Sequence, residues 1–581
     1  MKKRFYYILL LLVPAMTATQ LSCTKVLDKP DLGAIPEGEV WTDVNLATAF
    51  LNRLYVDAMP GWARNTTSPA PVNASNASSE SDESGGSGDM MYGQLTINSV
   101  NIWHYTTIRN LNLLLQRVPS APFTQADKNS LTGQALFLRA WLYWQMVSVY
   151  GGVPLVLVPQ ELGSDLNTPR SKTSECIARI IKDLDDAAAL LPNSWNNDNV
   201  GRITKGAAMA VKGRVLLHYA SEQFDPTQSA TGRWANAMTA NKAALDTLVK
   251  YGKALMPDFA NLWFVEGNSN TEAVMITRYN NPGRTHSRDA AVRPLDEAQN
   301  FTGGDQPTLA MVEAFPMKNG LAITAPGSGY NANAYWLNRD PRFGATIAWN
   351  GALWQLSGKG GRIQWCFIGS QQTGGTGTGF YCRKGINEAY KPNETEISGT
   401  DWIEIRLAEV MMNYAEAANE TGNTAAAYEV IRALRKRAGI EPGAGDTYGL
   451  AAGLSKTGMR AAILLERRLE FAFEGKRAQD LRRRKLYGDL NGTRRKGYRI
   501  SLTGFGGDKN AFYAAYAAGS VNLNTNYSTY FTDAVIDLDL TNTINFRDNY
   551  YFAAIPMTHL EKNPKLQQTL GWDGGTFDPL Q

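Results

Sequence analysis

Apolar residues recur at helical spacing along two long stretches of the chain. From Thr42 onward, Val44, Ala47, Phe50, Leu51, Leu54 and Tyr55 fall on one face, with Thr42 or Asp43 available as N-cap and Pro60-Gly61 ending the run. The same period predicts helices near 102–117, 125–149, 171–191, 204–223 and 232–249, joined by short turns bearing Pro, Gly or Asn. Helices of this length with brief connectors read as stacked antiparallel pairs, and any repeat is degenerate, because the segments do not align as copies at a period of about 34 residues. A second helical block runs from Asp401 to about Tyr487 as three amphipathic helices. Between the blocks, 255–400 is mixed, with a strand-like run from Glu272 to Tyr279, a short helix near 307–315, and Gly- and Trp-rich stretches without helical period. Residues 488–581, rich in Asn, Tyr and Gly, read as irregular. The fold class is mainly α, a helical scaffold with long irregular loop insertions and a few short strands.

The N-terminus follows different rules. Lys2-Lys3-Arg4 is a basic region, and Phe5 to Met16 is an apolar run shorter than the ~20 residues a membrane helix needs. Gln20-Leu21-Ser22-Cys23 resembles a bacterial lipobox, so 1–22 is read as a lipoprotein signal peptide, Cys23 as the lipidated first mature residue, and 23–40 as a tether. An ordinary secretory peptide with a chance cysteine is the alternative. The formal net charge of +4 falls with the leader: without Lys2, Lys3 and Arg4, 55 basic face 54 acidic residues. A near-neutral body has no global field for gathering nucleic acid.

An exported chain can form disulfides. With Cys23 lipidated, Cys176 sits at an apolar helix position as a buried thiol, while Cys366 and Cys382 flank a Gly/Thr-rich loop whose strands would bring them together as a candidate bridge. There is no C-x-x-C pair and the four histidines are scattered, which argues against a Cys/His metal site. Motifs for a nucleophile elbow, a zinc protease, a nucleotide loop or an EF-hand are absent. Glu470 and Glu474 could be proposed as a glycosidase pair, but three arginines lie nearby on the same helix, which would keep both carboxylates ionised in i,i+4 pairs. The chain is therefore read as non-enzymatic.

Several motifs occur in a fixed order. Arg139-Ala140-Trp141-Leu142-Tyr143 continues to Tyr150-Gly151-Gly152-Val153-Pro154-Leu155; Ile181-Lys182-Asp183-Leu184 and Gly201-Arg202-Ile203-Thr204 follow. Further on stand Asp340-Pro341-Arg342-Phe343, Arg406-Leu407-Ala408-Glu409 and Glu466-Arg467-Arg468-Leu469-Glu470-Phe471 through Asp480-Leu481-Arg482-Arg483; Ile555-Pro556 and Asn563-Pro564 close the series. Together they resemble the SusD/RagB family of nutrient-binding outer-membrane lipoproteins. The resemblance implies a SusD-like fold of TPR-type helix pairs, with an N-terminal helical region at 41–255 and a C-terminal SusD/RagB region at 256–581 packed as one globular unit. It also implies a lipid-anchored protein on the exterior of the outer membrane, which captures a glycan and delivers it to a SusC-like TonB-dependent transporter. No cofactor is implied, and calcium is not indicated. Capture of peptide or protein by a helical-repeat adaptor lipoprotein is the alternative.

The chain carries 14 Trp and 25 Tyr, so aromatic platforms for sugar rings must be separated from core. Residues 61–100, 284–305 and 350–400 match no family motif, and the ligand contacts are expected in or beside them. From the first come Trp62, Asp82, Asp89 and Tyr92; from the second and its edge Asn300, Phe301, Asp305 and Gln306; from the third and the approach to it Tyr335, Trp336 and Trp354. Trp349, Trp354 and Trp365 could equally close a local hydrophobic cluster.

Overall fold

A computed structural model of the chain describes residues 37–62, 78–86, 88–161, 163–300, 303–370 and 375–581. The leader, Cys23, most of the tether and Phe301 lie outside the described residues.

The predicted helices form where the period placed them. They are α1 (Val44–Ala58), α2 (Tyr105–Arg117), α3 (Gln125–Tyr150), α4 (Thr173–Leu190), α5 (Lys205–Ala220) and α6 (Gly232–Lys250). Asp43 caps α1 by accepting the Asn45 N–H at 2.7 Å. The C-terminal three-quarters of α3, from Leu131 to Tyr150, is buried on nearly every side, because α1, α2 and α4 all pack on it. It stops at Gly151, whose φ of 76° suits glycine, and a Cβ added at Gly152 would lie 1.9 Å from the Ser171 carbonyl. The glycine pair thus ends the helix and lets the chain cross closely.

After β1 (Ala273–Thr277) come three short helices, one at Arg288–Val292, α7 (Leu309–Ala314) and α8 (Pro341–Thr346), and four strands in two-residue pairs: β2 (Ile347–Ala348) with β5 (Tyr381–Cys382), and β3 (Ala352–Leu353) with β4 (Ile363–Gln364). The second helical block differs from expectation. It opens on a strand, β6 (Trp402–Arg406), antiparallel to β1, and holds four helices: α9 (Leu407–Glu420), α10 (Thr424–Ala438), α11 (Lys456–Glu470) and α12 (Lys476–Arg483). Ile403-Glu404-Ile405-Arg406 alternates in polarity, but its partner strand lies more than a hundred residues earlier, so local periodicity does not reveal the pairing. The C-terminal region is likewise more regular than its composition predicts. β7 (Lys496–Leu502) and β8 (Phe531–Asp537) form a ladder from Lys496↔Asp537 to Leu502↔Phe531, with α13 (Lys509–Ala517) and α14 (Leu523–Tyr530) inserted between them.

Successive helices stack side by side, α3 on α4, α4 on α5, α5 on α6, and α6 on α9. One apolar cluster runs from Trp41 through these helices to Ile555; a second gathers Val292, Trp354 and Phe380 with Leu469, Phe512 and Phe531. Motif residues tie the stack together through buried charge. Arg139 on α3 makes a bidentate pair with Asp183 on α4, at 2.8 and 2.9 Å, and donates to Asn112 on α2 at 2.9 Å. Arg214 on α5 joins Glu404 and Glu409, and Arg483 joins Glu416 and Asp480.

The expected Cys366–Cys382 bridge is corrected. Both are buried free thiols, as is Cys176. The strands around them do not pair with each other: Cys382 lies opposite Ile347 in the β2–β5 pair, while β4, just before Cys366, pairs with β3.

Candidate functional site

The glutamate-rich helix α11 carries no reactive pair. Glu466 and Glu470 on α11 and Glu474 in the turn before α12 are buried. The i,i+4 pairs expected along one helix do not form; the helix breaks after Glu470, and the partners come from other elements. Arg342 of α8 reaches Glu466 and Glu470, both at 2.8 Å; Arg406 reaches Glu470 at 2.6 Å and Glu474 at 2.8 Å; Lys384 reaches Glu474 at 2.6 Å and Arg435 reaches Glu466 at 2.8 Å. Burial alone would raise these carboxyls, but the surrounding cations outweigh it and hold all three below the usual range. The carboxylates are ionised as the sequence implied, inside a sealed network.

The first excursion is stitched to this framework. Asp82, expected at a ligand, instead accepts from Arg477 at 2.8 and 2.9 Å and faces Arg468 at 3.1 Å. Thr308 N–H donates to the Glu83 carbonyl, and Arg495 donates to the carbonyls of Ser79 and Ser84. Two carboxyls in the same segment have no cation within ion-pair distance among the described residues. Burial, with the Asp82 charge adding to it, pushes Glu83 up to about 8, and burial pushes Glu80 up to about 7. Their ordinary value is 4.5, so what each contributes to stability is fully present below about pH 4.5 and is lost as pH rises through the folded value. Glu83→Gln is expected to match the parent's thermal midpoint near pH 4.5 and to exceed it by roughly 1–3 °C at pH 8.5. Parallel midpoint-against-pH curves for the two proteins would remove this account of Glu83.

The remaining expected contacts divide by burial. Trp62 is 4% exposed and sits among Trp263, Trp402 and His286, with its indole N–H on the Thr400 carbonyl at 2.8 Å. Asp305 is buried against Arg288 and Ser78, and Gln306 accepts the Gly377 N–H at 2.9 Å. Tyr335 and Trp354 are core residues of the second cluster. These six, Asp82 included, are interior as placed: Asp82, Asp305, Gln306 and Trp62 find polar partners within the fold, and Tyr335 and Trp354 are held by apolar packing. Tyr92 is half-buried, donating to Asp539 at 2.5 Å and accepting from Arg495 at 2.9 Å. Asp89 and Asn300 are exposed, the latter bonded to Glu396.

Trp336, like Tyr92, is an expected aromatic that the structure leaves half-exposed, and it does not stand alone. Its ring lies nearly parallel to Trp349, at 16° and 6.3 Å between centroids, and Trp349, also half-exposed, stacks on Phe343 at 5.2 Å. Tyr527 of α14 meets Trp336 edge-on at 5.0 Å, and the Trp336 indole N–H donates to the exposed Asn524 side chain at 2.9 Å. The turn Ala332–Ala334 packs on α14, and the two segments carry exposed Asn331, Asn333, Asn522 and Asn526. Beneath the rings, Tyr527 OH is fixed by donation to Asp533 at 2.9 Å and by the Asn350 amide at 3.2 Å. Burial pushes the Asp533 carboxyl up to about 6. A second aromatic pair, exposed Phe505 stacked on half-buried Tyr530 at 5.8 Å, lies on the same insertion as α14. Asn524, Tyr527, Phe505 and Tyr530 were not among the expected contacts. The alternating Asn522-Leu523-Asn524-Thr525-Asn526-Tyr527 is the one local signal of them.

Among the described residues, no group of three or more His, Cys, Asp or Glu is arranged to hold a metal ion, and no helix is long and apolar enough to cross a membrane.

Two family models match the chain: one described as the SusD family, over residues 262–572, and one described as "starch-binding associating with outer membrane", over residues 45–217. Among characterised sequences, a SusD-like protein P2 of Formosa agariphila is 23% identical over 65% of this chain and 70% of its own length. Among solved structures, a SusD-like protein of Bacteroides fragilis superposes with a TM-score of 0.73 at 25% identity, covering 94% of this chain and all (100%) of that one. A SusD-like carbohydrate-binding protein of the same species gives 0.70 at 20% identity over 91% of this chain and 99% of its own. A laminarin-binding SusD-like protein gives 0.60 at 21% over 91% and 99%.

Proposed function

The chain belongs to the SusD family, whose model spans more than half of it, and from that membership we propose that it binds glycan at the outer membrane without catalysis. The observation that carries this reading is the half-exposed Trp336–Trp349 stack beside exposed asparagine amides. A pyranose ring has a C–H face that packs on an aromatic plane and a hydroxyl rim that amides can bond, so this pairing of groups suits it. Relatives named for carbohydrate and laminarin binding support the same ligand class. The absence of catalysis is supported by Glu470 and Glu474, the nearest thing to a paired acid and base, being locked in ion pairs.

In this proposal Cys23 carries the lipid that holds the protein to the outer membrane, facing the exterior. The bound glycan passes from it to a SusC-like TonB-dependent transporter. The description of the second family model, which speaks of association with the outer membrane, supports the location.

Calorimetry of the purified chain against plant, host and microbial oligosaccharides tests the reading. Binding within one glycan class is expected, with no new reducing ends after prolonged incubation. Silence across the panel together with binding to peptides would overturn it. Cys23→Ser is expected to abolish palmitate labelling and release the protein from membranes.

A further inference from the structure

A cleft of about 330 Å3 opens between the start of α5, the end of α6 and β1. It involves none of the residues of the Trp336 surface. Its size is at the lower end of the roughly 300–1,000 Å3 usual for ligand pockets, room for one or two sugar rings. Trp195, Tyr251, Asn268 and Thr271 contribute aromatic, amide and hydroxyl groups to the walls, and the charged side chains that line it are two, Arg202 and Lys253, both cationic.

The two cations are not equivalent. Arg202 is committed to protein acceptors, donating to Asn199 at 2.7 Å, Asn52 at 2.9 Å and Gln134 at 3.2 Å. Lys253 has no carboxylate within ion-pair distance among the described residues. Its hydrogen bond, to the Asn270 carbonyl, is 3.4 Å long and engages one of three ammonium donors. The side chain is half-buried, and burial pushes its pKa below the usual lysine range. The neighbouring Arg278, whose stem approaches Gly201, is neutralised by Glu266 and Asp401. A partly desolvated ammonium without a counter-charge gains most from an anion that brings one, and a charge-assisted bond there is stronger than in open water. Trp195 is held by its indole N–H on the Ile203 carbonyl at 2.9 Å, so the ring is already ordered before any ligand arrives.

We propose that this cleft is a second saccharide site, selective for a small sugar acid whose carboxylate pairs with Lys253 and whose ring packs against Trp195. It stands apart from the proposed glycan surface at Trp336 and does not depend on it.

Calorimetry of the full chain with galacturonate and glucuronate, and with galactose and glucose as neutral counterparts, tests this. A uronate is expected to bind, with its neutral counterpart at least roughly tenfold weaker, and Lys253→Met is expected to weaken the uronate roughly tenfold to hundredfold. Trp336→Ala is expected to leave uronate binding intact. Should Lys253→Met lower the thermal midpoint, Lys253→Gln, which keeps a donor for the Asn270 carbonyl but no charge, must give the same weakening. No uronate binding, equal binding of the neutral sugars, insensitivity to both Lys253 substitutions, or loss of the site in Trp336→Ala would each overturn the assignment.

Discussion

Arg406→Met is expected to destabilise the protein by about 3–5 kcal/mol, seen as a thermal midpoint lower by roughly 2–4 °C or as failure to accumulate folded protein. Arg406 is 1% exposed and serves three carboxylates at once: Glu272 at 2.7 Å, Glu470 at 2.6 Å and Glu474 at 2.8 Å. It also donates to the Glu470 carbonyl at 2.7 Å. Methionine fills most of the volume but leaves these acids partly uncompensated in the interior, and an unpaired buried charge costs far more than a lost contact. Arg342, Arg437 and Lys384 remain beside them, which is why the expected cost stops short of that of an isolated buried charge. The sign with pH is also fixed. Glu470 is held well below its usual range in the native state, so its contribution is present above about pH 4.5 and is lost as pH falls. In Arg406→Met part of that depression disappears, and acid unfolding should begin at higher pH. An unchanged midpoint at neutral pH would show that the remaining cations suffice.

Trp336→Ala is expected to weaken the glycan found by calorimetry by about 2 kcal/mol or more, roughly thirtyfold, while leaving the fold intact. The ring is half-exposed and lies at the edge of its cluster, so its removal strips the platform face and the indole donor to Asn524 without opening the core. Trp336→Phe should retain part of the affinity, since a plane remains but the N–H does not. Trp62→Ala supplies the contrast. That ring is enclosed by Trp263, Trp402 and His286, so its loss should cost about 3–5 kcal/mol of stability as a core truncation. If Trp336→Ala binds as well as the parent, the platform lies elsewhere.

The helices were legible because a helix is decided by groups three and four positions apart, and the apolar period of α1 to α6 records which face is covered. The strands were legible only in part. Ala273–Thr277 shows its β character locally, whereas β6 and the β7–β8 ladder form against partners far along the chain, and the Asn-rich composition around them hid the alternation. Aromatic residues were the hardest to sort. Trp62 and Trp336 both sit in or beside loop-like sequence, and nothing within ten residues of either states that one is enclosed by three rings while the other keeps a face open.

The helical scaffold and the ordered motifs that mark the SusD family could be read from the chain unaided, since helical period and short motifs are set by residues near one another in it. The sequence also implies the ionised state of Glu466, Glu470 and Glu474, but through i,i+4 pairs that do not form. Packing in three dimensions chose which cations those glutamates meet, put Cys366 and Cys382 beside different strand pairs, and turned Asp82 to the framework. It also built the proposed binding surface, joining Trp336 to Asn524 across 188 residues of sequence. Burial and partner choice are set by the whole packed chain, and a side chain's own neighbours do not encode them.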